Sequence, residues 1–287
     1  MLKNKIIICT NLFYICCAIF SSCTNFNSGK TETPVVDTIP VLNDKVKNIL
    51  ISNEEAIKDI YLNRGGDELF DDFLFCYIHD KNFQVQRTLF PVVMTELDGK
   101  VDSVRKEDWE GYFEFMEGEY TTNLYNDGQV RIANEETVCL QASVERIDLN
   151  TKIITTFEFV KDNGKWSLGA IGNQEFSQSD LADFLKFYSR FSQDTSFQYR
   201  SLSKSIRVSM HDPDDEGQTL EGFVTRDQLS TLNSSFPEGI ISNIRCGQQF
   251  AGTNKILMEK VCLGNGMIES FHFQRKGKRW ELVAYEN

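Results

Sequence analysis

The sequence predicts an α+β fold built from two tandem copies of one unit, each a curved antiparallel sheet with helices packed on one face. Three observations support this prediction. The pattern Asp-x-x-Phe-Gln occurs twice, as DKNFQ at 80–84 and as DTSFQ at 194–198. The shift of 114 residues between them also superposes other parts of the chain. In each copy, helix-type apolar spacing comes first and long alternating stretches follow.

The shift of 114 extends from the start of each unit to its end. It places Phe70 on Phe184 and Phe73 on Phe187, and it lays TTFEFVKDNGKWSL at 155–168 over ESFHFQRKGKRWEL at 269–282 without a gap. The same shift pairs Arg131 with Arg245 and Glu145 with Glu259. We therefore predict a duplication with copies at 66–173 and 180–287, each of a size that can build its own core.

Two helices open each copy. Apolar residues recur at helical spacing in two stripes. The two stripes are Leu69, Phe70, Phe73, Leu74 and Tyr77 in the first copy, and Leu181, Phe184, Leu185 and Tyr188 in the second. Ser179 precedes the second stripe as a candidate N-cap. Asp80 and Asp194 then begin a second short helix, where a carboxylate accepts hydrogen bonds from free backbone amides. Gln84 and Gln198 follow one turn later.

Strands make up most of the remainder. Residues 90–104 predict a hairpin with its turn at Asp98-Gly99, and residues 106–116 predict a further short helix. Strands are then predicted within 128–133, 137–149 and 152–172, the last folding back at Asn163-Gly164. In the second copy the turn signal at 264–266 marks the corresponding strand boundary.

This order of elements resembles the cone-shaped fold of nuclear transport factor 2-like (NTF2-like) proteins, which include the ketosteroid isomerases and the SnoaL-like proteins. The whole chain also resembles a family of bacterial lipoproteins of about this length, with Phe-rich first helices and the Phe-Gln element. The resemblance implies two tandem cone-shaped domains. It implies no activity, because the acid and tyrosine residues of the isomerases have no matching motif here.

The N-terminus carries the features of an export signal. Lys3 and Lys5 precede an apolar stretch too short to span a bilayer, and Ser21-Ser22 stand directly before Cys23. This resembles a lipobox and predicts a signal peptide at 1–22, lipidation of Cys23 and a polar tether at 23–52. A lead-in helix is expected at 53–65. An ordinary signal peptide or an N-terminal membrane anchor remains an alternative; the non-acidic Thr24 favours the outer membrane.

Charge and motif content exclude several classes of function. The net charge is −12, and removal of residues 1–22 takes away Lys3 and Lys5, which leaves −14. With no basic patch, the chain would repel a phosphate backbone, so nucleic acid is a poor partner. We expect no metal and no cofactor, because histidines and cysteines lack ligand spacing and no phosphate loop is present. A disulfide between Cys246 and Cys262 is one alternative for these cysteines in an oxidising envelope.

Glu145 and Glu259 are the first candidate site residues. Each has the strand parity of neighbouring apolar residues, and an acid on an apolar face is costly unless it is paired. Arg131 and Arg245 lie 14 residues upstream, a spacing that permits a cross-strand pair within each copy. A structural bridge is the simpler interpretation. The alternative is that one copy keeps its pair at the base of an open pocket for a polar ligand.

Trp166 and Trp280 complete the candidate set. They share a strand face with Phe and Leu residues, which indicates core packing under the helices; stacking on a ligand is the alternative.

The sequence therefore predicts a lipid-anchored envelope protein that acts as a non-enzymatic binding or interaction module. The competing hypothesis is an isomerase, dehydratase or hydrolase with a pocket carboxylate in one copy. The ligand can be a small molecule or a protein, and the two copies can form an internal pseudo-dimer.

Overall fold

The computed structural model describes residues 67–126, 139–212, 215, 217–229, 235–263 and 266–287. Cys23, the tether, the lead-in helix and the strand predicted at 128–133 with Arg131 lie outside these residues. No helix within them is long and apolar enough to cross a membrane.

The first copy begins with two helices and continues with six strands. The helices are α1 (Phe70–His79) and α2 (Lys81–Gln86). The strands are β1 (Thr88–Thr95), β2 (Val101–Val104), β3 (Tyr120–Asn126), β4 (Gln141–Asp148), β5 (Ile153–Asp162) and β6 (Lys165–Glu175).

The second copy repeats this order. Its helices are α3 (Ala182–Gln193), α4 (Thr195–Arg200) and the short α5 (Arg226–Leu229). Its strands are β7 (Leu202–His211), β8 (Thr219–Val224), β9 (Ile240–Arg245), β10 (Lys255–Cys262), β11 (Ile268–Lys276) and β12 (Arg279–Glu286). The α+β class and the two antiparallel-rich sheets with helices are as the sequence predicts.

The repeated Asp-x-x-Phe-Gln element begins a helix in both copies, as predicted. The Asp80 carboxylate accepts from the backbone N–H groups of Asn82 and Phe83, and Asp194 accepts from Phe197. These bonds satisfy amides that the first helical turn leaves unpaired. The Gln84 side chain donates to the Tyr77 carbonyl at 3.2 Å and thereby ties α2 back to α1.

The sheets do not follow the copy boundaries at 173 and 180. The first sheet has the order β2-β1-β6-β5-β4-β9, and the second has the order β3-β10-β11-β12-β7-β8. Strand β9 of the second copy thus completes the first sheet, and β3 of the first copy completes the second. The two copies exchange an edge strand, so each six-stranded sheet takes strands from both copies.

The constant shift of 114 is wrong for the exchanged strands. Strand β4 pairs with β9 through Ser143 opposite Arg245 and Glu145 opposite Asn243. Strand β10 pairs with β3 through Leu257 opposite Tyr125 and Glu259 opposite Asn123. Since β4 and β10 differ by 114 residues, β3 and β9 differ by 120. Counted between equivalent residues of the strands, the connection between β7 and β8 is longer than that between β1 and β2 by the difference between these two shifts. The connection between β9 and β10 is shorter than that between β3 and β4 by the same amount.

Three local predictions need correction. Residues 106–116 form two 3₁₀ turns, Lys106–Asp108 and Glu114–Met116, rather than one helix. Helix α3 begins at Ala182, and Ser179 instead accepts from the Leu181 N–H in the turn before it. Strand β3 is absent from the sequence-based prediction because its residues, YTTNLYN, are polar and lack clear alternation.

Each sheet supports an apolar core under its own helices. Phe73, Leu74 and Tyr77 of α1 pack on Phe157 and Phe159. In the second copy, Phe184, Leu185 and Tyr188 of α3 pack on Phe271 and Phe273. The second core also includes Ile147, Leu149 and Ile154 of the first copy. The copies are therefore joined by packing as well as by strand exchange.

Candidate functional site

The two exchanged strands lie side by side and are bonded reciprocally. The Thr122 N–H donates to Ser242 Oγ at 2.9 Å, and the Ser242 N–H donates to Thr122 Oγ1 at 2.9 Å. Each hydroxyl also donates to the other residue's carbonyl, at 2.5 Å from Thr122 and 3.0 Å from Ser242. Because every bond from Thr122 to Ser242 is matched by the same bond from Ser242 to Thr122, a local pseudo-twofold axis passes between the two residues.

Two asparagines extend this symmetry by one residue. Asn123 Oδ1 accepts from the Ile244 N–H at 3.1 Å, and Asn243 Oδ1 accepts from the Leu124 N–H at 2.9 Å. Both bonds satisfy backbone amides of edge strands, which would otherwise be buried without a partner. The Asn side chains therefore close the inner edges of both sheets.

Beyond the asparagines the symmetry ends at a buried ionic cluster on one side. Glu145 is 2% exposed, and its Oε1 accepts from Arg245 Nη1 at 3.1 Å while its Oε2 accepts from Asn243 Nδ2 at 2.8 Å. Arg245 also forms a two-pronged pair with Asp180, at 3.0 and 2.8 Å, and Nη2 donates to the Gln248 carbonyl at 2.8 Å. Four bonds thus hold the guanidinium group, and both Glu145 oxygens are used.

Burial dominates the electrostatics of this cluster. Desolvation raises the pKa of Glu145 above its ordinary value, although Arg245 and Asn243 act against the shift. Burial acts to lower the pKa of Arg245, but Asp180 and Glu145 outweigh it and raise that pKa. Partial burial, then the charge of Glu145, raises the pKa of Glu158, which lies across Ser143 from Arg245. A fully bonded cluster of this kind bridges the two copies.

The structure does not contain the Arg245–Glu259 pair predicted within the second copy, and Arg131 of the other predicted pair lies outside the described residues. Arg245 binds Glu145 of the other copy instead of Glu259. The exchanged register is the reason, because it places Tyr125 where a second arginine would be needed for Glu259. Glu259 is half-buried opposite Asn123.

A disulfide lies beside the cluster. Cys139, two residues before β4, is joined to Cys246, the residue after β9, with Cα atoms 6.1 Å apart and a sequence separation of 107. The bridge considered between Cys246 and Cys262 is therefore wrong; Cys76 and Cys262 are free thiols. Closing a loop of this length stabilises a fold by about 4–5 kcal/mol in the chain-entropy description.

A second buried polar cluster lies on the helix-facing side of the second sheet. Lys260 Nζ donates to Glu269 Oε2 at 2.6 Å and to Ser235 Oγ at 2.9 Å, and the Tyr285 hydroxyl donates to Glu269 Oε1 at 2.8 Å. Lys260, Glu269 and Tyr285 are 6%, 9% and 3% exposed. Burial, then the Glu269 carboxylate, raises the pKa of Tyr285. The first copy has Arg146, Thr155 and Ile171 at these positions.

Aromatic side chains of the protein itself occupy the space between helices and sheets. Phe113 packs on Phe157 with ring centroids 4.5 Å apart, and Phe236 packs on Phe271 at 5.1 Å. Trp166 and Trp280 are 1% and 5% exposed, and they pack edge-on against Phe70 and Phe184. Within the described residues, neither indole N–H has an acceptor. Both tryptophans lie in the cores, where a ligand could reach them only after rearrangement.

Sequence reasoning missed Asp180, Asn243, Lys260, Glu269 and Tyr285. Asn243 had a detectable signal, because Thr122-Asn123 and Ser242-Asn243 match once a shift of 120 is allowed. The other four had none, since they are joined only by the three-dimensional fold. Among the residues that the structure describes, no group of His, Cys, Asp and Glu is placed to hold a metal ion.

This architecture is an NTF2-like fold, and comparison with solved structures agrees. The chain is similar to an NTF2-like protein from Bacteroides fragilis, with a TM-score of 0.70 and 26% sequence identity over 77% of this chain and 96% of that one. The similarity therefore extends beyond either single copy. Residues 50–287 match the family described as "Domain of unknown function (DUF4348)", and the chain belongs to that family. No curated protein matches it.

Proposed function

We propose that this protein is a lipid-anchored component of the bacterial cell envelope that acts as a non-enzymatic interaction module and contacts another protein through its outer surface. The observation that carries the proposal is the occupation of both helix-facing spaces by the chain's own aromatic side chains, Phe113 in the first and Phe236 in the second. An NTF2-like enzyme needs that space for its substrate. An interaction module does not.

Exposed apolar side chains on the outer faces of the sheets support this proposal. Val93 and Val101 lie on the face of the first sheet turned away from the helices, and they are 44% and 63% exposed. The equivalent positions of the second sheet hold Arg207 and Glu221, and Phe223, opposite Arg207, is the exposed apolar side chain there, at 74%. Exposed apolar side chains grouped on one sheet face are typical of contact surfaces.

Photo-crosslinking in living cells tests the interaction. A photoreactive amino acid at position 93 or 101 should give discrete protein adducts, whereas the same group at the exposed helix positions 186 and 200 serves as the control and should give few. Adducts of equal yield at all four positions, or none at any, would refute contact through the first sheet.

Anchoring is tested separately. Replacement of Cys23 with Ser should prevent incorporation of labelled fatty acid and release the protein from the membrane fraction. Retention of Cys23→Ser in that fraction with unchanged labelling would contradict the proposed lipid anchor, and outer-membrane fractionation of the wild type tests its location.

The alternative function is an enzyme of the isomerase, dehydratase or hydrolase type. The specific observation in its favour is the Lys260–Glu269–Tyr285 cluster, an acid beside a tyrosine in one copy only. Under this hypothesis, a small molecule should raise the Tm of the wild type, and Tyr285→Phe, which keeps the ring, should abolish that shift. A metabolite screen with no such ligand would favour the interaction module.

A further inference from the structure

We propose that the Cys139–Cys246 disulfide is a redox-sensitive clamp that controls how firmly the exchanged strand β9 is held on the first sheet. The inference concerns the fold itself, and its test does not depend on the proposed function.

Strand β9 is one of the two edge strands of the first sheet. It has six residues and forms a backbone ladder with β4 alone. On its other side its bonds to β3 run through side chains, and Arg245 ties its end to Glu145 and Asp180. An edge strand with a backbone ladder on one side is more prone to local opening than a central strand.

The disulfide is placed to prevent that opening. The ladder between β4 and β9 begins at Ser143 opposite Arg245, and the disulfide joins the chain just outside this first pair, at residues 139 and 246. Both cysteines are half-buried, so a reductant can approach the bond. The separation of 6.1 Å between their Cα atoms is within the range that a disulfide spans.

The two junctions related by the pseudo-twofold axis differ, because the disulfide is present at the junction of β4 with β9 and absent at the junction of β10 with β3. At the equivalent end of β3 stands Asn126, and Thr253 precedes β10 as Cys139 precedes β4. There the attachment is a hydrogen bond from Asn126 Nδ2 to the Gln249 carbonyl at 2.6 Å. Of two related junctions, one therefore responds to thiol chemistry and the other does not.

Opening of the clamp is thiol–disulfide exchange with a dithiol reductant. One thiolate of the reductant attacks either sulfur and forms a mixed disulfide while the other cysteine leaves as a thiolate. The second thiol of the reductant then releases the remaining cysteine. Two electrons pass to the protein, the reductant becomes a disulfide, and the two cysteines end as thiols.

Hydrogen–deuterium exchange on the intact chain tests the clamp, with dithiothreitol as the reductant. Peptide mapping of the untreated protein should first yield a linked Cys139–Cys246 peptide. Reduction should then speed exchange of the β9 amides by about tenfold or more, while the amides of β11, which pairs with β10 and β12, change less than about twofold. Strand β11 is thus the internal control, because the Thr122 and Leu124 amides of β3 bond to β9 side chains and should respond with it.

A second form of the experiment removes the need for a reductant. The double variant Cys139→Ser/Cys246→Ser should show the fast β9 exchange before any treatment and should not respond to dithiothreitol. The variant Cys262→Ser, which changes a free thiol, should behave as the wild type does.

Three results would overturn the proposal. They are the absence of the linked peptide, unchanged exchange of β9 on reduction, and equal acceleration in β11 and β9. The last would show a general loss of stability instead of a local release.

Discussion

The two junctions at which the copies exchange strands have the same backbone plan and different chemistry. At the junction of β4 with β9, a buried Glu145 binds Arg245, Arg245 binds Asp180, and a disulfide closes the end. At the junction of β10 with β3, Glu259 faces Asn123, and Tyr125 and Asn126 occupy the positions of Arg245 and Cys246. The ladder and the reciprocal Thr–Ser and Asn bonds are common to both. The common bonds therefore fix the exchange, and the ionic cluster and disulfide strengthen one side.

The largest difference between the junctions should follow removal of Arg245. Arg245→Met leaves Glu145 buried and unpaired, and breaking a buried ion pair in this way costs about 3–5 kcal/mol. Glu259→Gln, which removes the charge at the position equivalent to Glu145, is the comparison at the other junction and should cost about 1 kcal/mol or less. Urea unfolding of both variants measures the two losses.

A double variant sharpens the same test. Glu145→Gln/Arg245→Met also removes the buried Glu145 carboxylate that Arg245→Met leaves without a cation, and should recover part of the stability that Arg245→Met loses. Equal losses for Arg245→Met and Glu259→Gln would show that the two junctions are energetically alike.

The asparagines should give a smaller difference in the same direction. Asn243→Ala removes the acceptor of the Leu124 N–H and the donor to Glu145, and should cost about 2–3 kcal/mol because both groups are buried. Asn123→Ala removes the acceptor of the Ile244 N–H and should cost about 1 kcal/mol. Thermal and urea unfolding compare the pair; a larger loss for Asn123→Ala would contradict the asymmetry.

The smallest predicted effect is a dependence on pH that distinguishes the wild type from Glu145→Gln. Burial raises the pKa of Glu145, so the folded protein binds this proton more readily than the unfolded chain does. Relative to Glu145→Gln, the wild type should therefore gain stability as the pH falls through the raised pKa towards the ordinary value of 4.5. Glu158, whose pKa Glu145 also raises, adds a contribution of the same sign.

The difference in unfolding free energy between the two proteins, measured from neutral pH to about pH 4.5, checks this sign. Other carboxylates contribute to both proteins and largely cancel. Arg245 stays charged throughout. A wild type that loses stability relative to Glu145→Gln on acidification would show that the ion pair with Arg245, and not burial, governs the pKa of Glu145.

The local structure was predictable wherever the determining contacts lie close in sequence. The carboxylates of Asp80 and Asp194 bond to amides two or three residues away, so the pattern alone predicts each helix start. The turn at Asn163-Gly164 has positive φ at both residues, which Asn and Gly adopt readily, and it falls where the hairpin was expected. The alternation of Phe157 and Phe159, and of Phe271 and Phe273, correctly predicts the core faces.

The candidate site was predictable in part, since the burial cost of Glu145 identified it as a residue in need of a partner. The partner expected for Arg245 was wrong because the hairpin predicted within the second copy assumes that β9 pairs with β10, whereas β9 pairs with β4. A strand can form a backbone ladder with any edge strand of suitable length. No local feature of YTTNLYN (β3) or IISNIR (β9) indicates whether its partner strand lies in the same copy or in the other one.

The sequence by itself determined the α+β class, the repeated order of helices and strands, the starts of α2 and α4 and the core faces of the late strands, because these depend on local spacing and side-chain burial. Only the tertiary structure decided the exchange of β3 and β9. It also decided the pairing of Arg245 with Glu145, the partner of Cys246, and the gathering of Lys260, Glu269 and Tyr285. These contacts join residues that are close only after the sheets assemble, and the small length differences that set their register lie in connections without a repeated pattern.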